Sequence, residues 1–454
     1  MATFFVQLKV APVPGSPQAE IVKGAYAYCW IIEASPSAAF NKACFYVTKV
    51  DWEIKEVIEP AVEVKEEACQ ESELTRDGYQ AAQEQGLAVV YEGWSLDGKT
   101  AADLAPLEQA TRFDLNKYLS KRKQLANKGR CLHFESGERC SAIIKAHSIQ
   151  KSGPLAVIAS EGHVYTPSVS GGKFDADRSQ IVIEKRGIGK LSTFLGFCEK
   201  HDNEVFGPID TQPLIPTGEQ VLLYAYRSIC REFFVKENAL ALADSQLALW
   251  PPGHPFTVFE DIKAGSARAL TGLRRHKENF DASLKYGRFD DVEYVLFVSR
   301  QGPTHAFSGL IYPHFDFLGR KLQALEDPST PMDLITFCSA PLRDGWGFLF
   351  AWHKASAPSC REFLSSLAQG ESVADAAFRL VISNCENVAL APAWWEGLEE
   401  DKKAAIRARV TEAISPFAPI EPDYLTKGLE GLSGWEFTNV LTNVPAGERS
   451  WSDH

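Results

Sequence analysis

The chain has 454 residues, 45% of them hydrophobic and 11% aromatic; these values exclude wholesale disorder and give ample length for several domains with real cores. Its 47 basic and 59 acidic residues give a net charge of −12, which excludes a surface coated in positive charge but not a local basic groove, because nucleic-acid affinity follows local phosphate neutralisation. Ten irregularly spaced cysteines exclude a disulfide scaffold. No basic region precedes an apolar run at the N-terminus and no apolar stretch reaches the ~18 residues of a membrane span, so the chain reads as soluble and cytoplasmic, with reduced thiols.

Residues 1–105 read as a small α+β domain. Tyr26 to Glu33 is rich in aromatic and β-branched residues, as strands are. Ser35-Pro36 then signals a helix start ahead of Ala38, Ala39, Phe40, Ala43, Cys44 and Val47, which fall at helical spacing. Trp52 to Ile58 alternates apolar and charged residues, and Gly86 to Glu92 is a further strand pattern. Strand–helix–strand followed by helix and strand predicts a ferredoxin-like sandwich, a fold that hosts many functions and proves none. Residues 106–130 carry a charged helix pattern containing Lys117, Lys121, Arg122, Lys123, Lys128 and Arg130, which suits either a phosphate backbone or a solvated helix face.

The richest polar chemistry lies between Arg130 and Asp210. Cys131 and Cys140 bracket a loop containing Gly137, and Cys198 and His201 have the two-residue gap that aims two ligands at one ion. In a reducing compartment these four side chains predict a shared structural zinc, the other possibility being a buried metal-free cluster. Between the pairs stand His147, in Lys145-Ala-His-Ser-Ile149, and His163, in Glu161-Gly-His-Val164. Asp202 and Asn203 follow the last ligand directly. Taken singly, each has a plain structural use: His147 as a hydrogen-bonded histidine on a strand, Asp202-Asn203 as a helix cap, Ser192-Thr193 in local backbone bonds, and His163 at a hairpin turn.

Beyond Asp210 the pattern changes. Pro216 to Glu219 signals a helix running from Gln220 to about Ala243, and a second helix runs from about Val258 to Leu284. Val292–Ser299, His305–Tyr312, Asp333–Cys338 and Gly345–Trp352 read as strands of an antiparallel sheet. Helices follow at about 359–368, 372–382 and 399–413, with a loop-rich tail from Pro416. The expected organisation is therefore a multi-domain α+β protein: 1–105, a zinc-binding module at 106–214, and an α+β domain with an antiparallel sheet at 215–454.

Lys145-Ala-His147-Ser-Ile, followed by Gly196-Phe-Cys198-Glu-Lys-His201-Asp202 and Phe206, resembles the HNH (ββα-metal) endonuclease superfamily over about 80 residues. The resemblance also extends to bacterial proteins with Lys-Ala-His-Ser-Ile and Gly-Phe-Cys-x-x-His-Asp runs. It implies that His147 is the general base and that Asp202, where the family has its second histidine ligand, holds a catalytic Mg²⁺ or Mn²⁺. Ala146 stands where many members have a metal-ligating aspartate, and no asparagine lies between His147 and Cys198; His163 or Asn203 is then the residue available to complete the set.

Two functions follow. The first is a metal-dependent endonuclease acting on nucleic acid, DNA rather than RNA, in bacterial defence, with flanking domains that choose the substrate or bind a protein regulator. The second is a non-catalytic zinc-containing binding or scaffold protein. A separate activity in the C-terminal sheet, using His305, His314, Asp316 or His353, is a third possibility.

Overall fold

The computed structural model describes residues 2–33, 35–70, 72–95, 115–137, 139–169, 181–247, 258–325, 330–370, 372–414 and 420–449. The expected boundary at residue 105, residues 106–114 of the predicted basic helix, and the start of the tail at Pro416 lie outside them. The fold is mixed helix and sheet, as expected.

The N-terminal part contains β1 (Ala2–Pro12), β2 (Val22–Glu33), α1 (Pro36–Lys49), β3 (Trp52–Val64), α2 (Glu73–Gln85) and β4 (Leu87–Ser95). Ser35 caps α1 through its hydroxyl, with Pro36 at the first helical position. The ferredoxin-like expectation is corrected by the strand order β3-β1-β2-β4, in which β1 and β2 form a central antiparallel hairpin. The helices also cover opposite faces. Phe4, Val6, Cys29 and Ile31 pack with Ala39, Ala43 and Val47 of α1, whereas Phe5 and Trp30 pack with Tyr79 and Ala82 of α2. The cause is β1, which the sequence reading passed over: adjacent Phe4 and Phe5 point to opposite faces, so both faces need apolar cover.

The remainder begins with α3 (Leu115–Ala126), β5 (Ile143–His147), the single turn α4 (Ala156–Ile158), β6 (His163–Val169), β7 (Ile181–Gly187), β8 (Thr193–Cys198) and α5 (Glu199–Asp210). The long helices α6 (Gly218–Leu247) and α7 (Val258–Lys285) follow, then β9 (Val292–Ser299), β10 (His305–Ile311), β11 (Ile335–Leu342) and β12 (Gly345–His353). The chain closes with α8 (Ala357–Ala368), α9 (Val373–Asn384), β13 (Val388–Leu390), α10 (Pro392–Glu396), α11 (Glu400–Ile414) and β14 (Phe437–Thr442). The four expected strands are present, but in an eight-stranded sheet ordered β14-β9-β12-β11-β10-β13-β6-β7.

Two features cross the expected boundary at 214/215. Strands β6 and β7, from inside the expected module, extend that large sheet through β13. One core also joins Phe194, Phe197 and Phe206 to Val221, Tyr226 and Phe233 of α6 and to Leu296 and Leu349 of the sheet. Among the described residues, strands β5 and β8 pair only with each other, antiparallel, and α5 starts directly from β8. Among the described residues no helix is long and apolar enough to cross a membrane.

Candidate metal centre and adjoining cleft

Cys198 ends β8 and caps α5, its sulfur accepting the His201 backbone N–H at 3.4 Å. This places the Cys198 and His201 side chains on the same helical turn. The segment bearing Cys131 docks against β8, where Arg130 N–H donates to the Leu195 carbonyl at 2.9 Å and Leu132 N–H to that of Gly196 at 2.8 Å. Gly137, at φ +135° in a region that side chains disfavour, turns the loop so that its N–H meets Cys140 Sγ at 3.4 Å. All four expected ligands therefore converge. His201 Nδ1 lies 3.4 Å from Cys131 Sγ, 3.7 Å from Cys140 Sγ and 3.4 Å from Cys198 Sγ.

Those separations suit one tetrahedral zinc, for which sulfur–nitrogen edges of ~3.6 Å follow from the usual bond lengths. Burial, helped by the neighbouring thiols of Cys140 and Cys198, holds the Cys131 thiol up at about 11 against backbone contacts at Cys198 and His133 that pull it down. Burial also opposes ionisation of Cys198, but N–H bonds from His201 and Ser141 outweigh it and bring that thiol to about 7. A bound zinc reverses the Cys131 penalty, because coordination removes the thiol proton outright. Three thiols and an imidazole gathered this closely are a donor set suited to a metal ion such as zinc. His133 stacks on His201 with ring centroids 4.1 Å apart; with Glu135 it forms a second grouping that shares His201, but without thiols.

Above this centre a cleft of about 510 Å³ opens, lined among others by Lys145, His147, Lys151, Asp202, Asp210 and Arg227. His147 comes from the end of β5, Asp202 from the first turn of α5, Asp210 from its last residue and Arg227 from α6. His147 Nε2 faces the Ile188 carbonyl oxygen at 3.4 Å. A carbonyl can only accept, so this contact favours a proton on Nε2 and leaves Nδ1 as the basic nitrogen. Burial pushes the imidazole below its ordinary range; the Ile188 contact pulls it back up, and the charges of Lys151 and Arg227 push it down again. Burial raises the carboxyl of Asp202, with Arg227 pulling it down and Asp210 pushing it up.

Arg227 is almost entirely buried and grips Asp210 with two bonds, of 2.8 and 2.6 Å. Its guanidinium lies 4.1 Å from the centre of the Phe206 ring. The strand pair carrying His147 is pinned from the C-terminal half. Asn387 Nδ2 donates to Ser148 Oγ at 2.8 Å and to the Ser308 carbonyl at 3.0 Å, and Ser148 Oγ meets Ser192 Oγ at 2.8 Å. Ser192, at φ +57°, also accepts the Ile149 N–H on its hydroxyl and the Ser148 N–H on its carbonyl, bonds across the chain and not the local ones expected for it, whereas Thr193 Oγ1 does donate locally, to the Lys190 carbonyl at 3.4 Å.

The remaining expected site residues lie elsewhere. Asn203 is exposed and outside the cleft lining. His163 is exposed, with its Nδ1 2.8 Å from the Glu161 carbonyl in the turn ahead of β6, so it serves the hairpin and does not complete a ligand set. The expected Mg²⁺ or Mn²⁺ site is also not gathered: among the described residues, no set of three histidine, cysteine or acidic ligands meets in the cleft.

Of the predicted basic run, Arg130 is committed to Glu237 at 2.6 Å and to the Phe234 ring, so it fastens the segment bearing Cys131 to α6. In the C-terminal sheet His305 is fully buried against Trp435 and pushed by burial down to about 3. Asp316 accepts the N–H groups of Leu318 and Arg320, both at 2.8 Å. His353 accepts the Ala355 N–H at 3.1 Å, and the His314 ring lies tilted against that of Phe315 with centroids 4.2 Å apart. These contacts are structural, and none of the four residues lines the cleft.

Sequence reading missed Asp210, Arg227 and Asn387. Arg227 left a trace, as the single charge in the otherwise apolar or neutral run Gln220 to Cys230, where a buried cation needs a partner. Comparison with protein-family models, with curated proteins and with solved structures gave no match.

Proposed function

We propose that this protein is an HNH-like phosphodiester hydrolase acting on nucleic acid, with a structural zinc held by Cys131, Cys140, Cys198 and His201. The observation that carries the reading is the shared cleft. His147 and Asp202, far apart in sequence, meet beside the thiol–imidazole cluster on a strand pair and its following helix. His147 Nδ1 takes a proton from water as the water oxygen bonds to phosphorus. The bond from phosphorus to the leaving sugar oxygen breaks, and that oxygen takes a proton from solvent. Neutral imidazole is the competent form of the base, which suits a group held below its ordinary range. Asp202 orients the attacking water or a phosphate-bound cation. No step is assigned to Mg²⁺ or Mn²⁺, because a hard cation needs more oxygen ligands than the cleft gathers unless the substrate supplies them. DNA as substrate and a role in bacterial defence rest on the sequence resemblance alone.

A second reading, a non-catalytic zinc-bearing scaffold, is favoured by the same lack of a three-ligand set. Plasmid DNA, single-stranded DNA and RNA, each incubated with and without Mg²⁺ or Mn²⁺, separate the two. Cleavage by the wild type that falls ~10²- to 10⁴-fold in His147→Ala supports the hydrolase. Cleavage unchanged in both His147→Ala and Asp202→Ala, or none in any condition, sinks it.

A further inference from the structure

We infer that Arg227 is the anion-binding residue of the cleft, taking a phosphate oxygen of the ligand through the side of its guanidinium that Asp210 leaves open. The inference rests on the hydrolase reading for its choice of phosphate, but the observations concern the cleft itself. Arg227 bonds Asp210 end-on through its two terminal nitrogens. A guanidinium has five N–H groups, and an end-on pair uses two of them. The side formed by Nε and one terminal nitrogen remains, and Arg227 Nε is buried with no hydrogen-bond partner.

A buried donor without an acceptor is costly, and buried polar groups are as a rule satisfied. The side-on fork is also the geometry that matches two oxygens of one phosphate. Asp210 and the Phe206 ring hold the guanidinium at the cleft wall, so little side-chain entropy is lost on binding.

Charge points the same way. Lys145, Lys151 and Arg227 face Asp202 and Asp210 across the cleft, three cations against two carboxylates, with His147 neutral at pH 7. The lining therefore carries a net positive charge, in a protein whose net charge is −12. Where a hard cation would otherwise bridge carboxylates to phosphate, no three-ligand set of described residues lies in the cleft. The guanidinium supplies fixed positive charge in its place. It differs from a metal ion in needing no free ligand set, and from Lys145 and Lys151 in being buried and pre-oriented.

The test is titration of the full-length, zinc-loaded protein with inorganic phosphate in buffer free of added divalent ions, followed by calorimetry. Because Arg227→Gln alone leaves the Asp210 carboxylate without its cation, the double variant Arg227→Gln/Asp210→Asn, which retains a neutral hydrogen-bonded pair, serves as the folded comparison. Its zinc content and near-ultraviolet dichroism are checked against wild type. Phosphate binding at least ten-fold weaker in the double variant than in wild type, and weakened also in Arg227→Lys, is expected. No phosphate binding to wild type without divalent ions, or equal binding to wild type and double variant, overturns the assignment. Nucleic-acid cleavage is scored separately. Absent cleavage with Arg227-dependent phosphate binding would overturn the hydrolase and keep the anion site. Cleavage with Arg227-independent phosphate binding would do the reverse.

Discussion

His147 is held by opposing influences, and their balance sets a pH profile. Burial and the neighbouring charges of Lys151 and Arg227 favour the neutral ring, whereas the Ile188 carbonyl and Asp210 favour the charged one. The net effect is downward, so the neutral base dominates at pH 7 and protonation removes it only as pH falls below the ordinary histidine range. The acid limb of kcat/KM is expected below pH 6.5, the unperturbed value. Removing the positive charge at Lys151, as in Lys151→Gln, moves that limb upward. A limb that stays put in this variant, or lies above 6.5 in wild type, argues against His147 as the base.

At the scale of elements, the metal loop and α5 depend on each other. The loop turns at Gly137 and docks on β8, while α5 starts from Cys198, so an ion held by the cluster would tie the three segments together beyond their backbone bonds. Structural zinc in small sites carries an apparent free energy of roughly 10–16 kcal/mol. We therefore expect one zinc per chain. Cys140→Ala should lower zinc content and the unfolding midpoint together, with amide-exchange protection lost first around residues 130–142. Wild-type protein that has never met a chelator yet contains no zinc would refute the centre. Phe197 provides a contrast: it is fully buried and packs edge-on to Phe206 at 5.1 Å. Phe197→Ala should cost about 3–5 kcal/mol in denaturant unfolding, whether or not zinc is bound.

At the scale of the whole molecule, the site is not a detachable module. Its aromatic residues share a core with α6 and the large sheet, and β6 and β7 form one end of that sheet. Asn387, from the C-terminal half, holds Ser148 beside the candidate base. A fragment covering residues 106–214 is expected to remain without cooperative unfolding even with zinc, because Phe194, Phe197 and Phe206 lose the partners that bury them. A sharp thermal transition in that fragment would show that the ββα element is self-sufficient. In the full chain, Asn387→Ala leaves buried Ser148 and the Ser308 carbonyl short of a donor, a loss of about 1–3 kcal/mol.

Much was decided by sequence alone. Local signals fixed α1 from Ser35-Pro36, the long helices after Pro216, and the strands around Val295, Phe307 and Phe350, because periodicity and capping act over a few residues. The gathering of Cys131, Cys140, Cys198 and His201 was also legible, since thiols and imidazole in that spacing are a metal-ligand pattern. The tertiary structure decided the rest. It set the helices of the N-terminal part on opposite faces, took β6 and β7 into the distant sheet, and kept His163 and Asn203 out of the cleft. It also brought Asp210 and Arg227 into the cleft with His147, and Asn387 to the neighbouring Ser148. Such pairings are set by which buried polar groups must find one another across a shared core, and no local pattern in the chain encodes that choice.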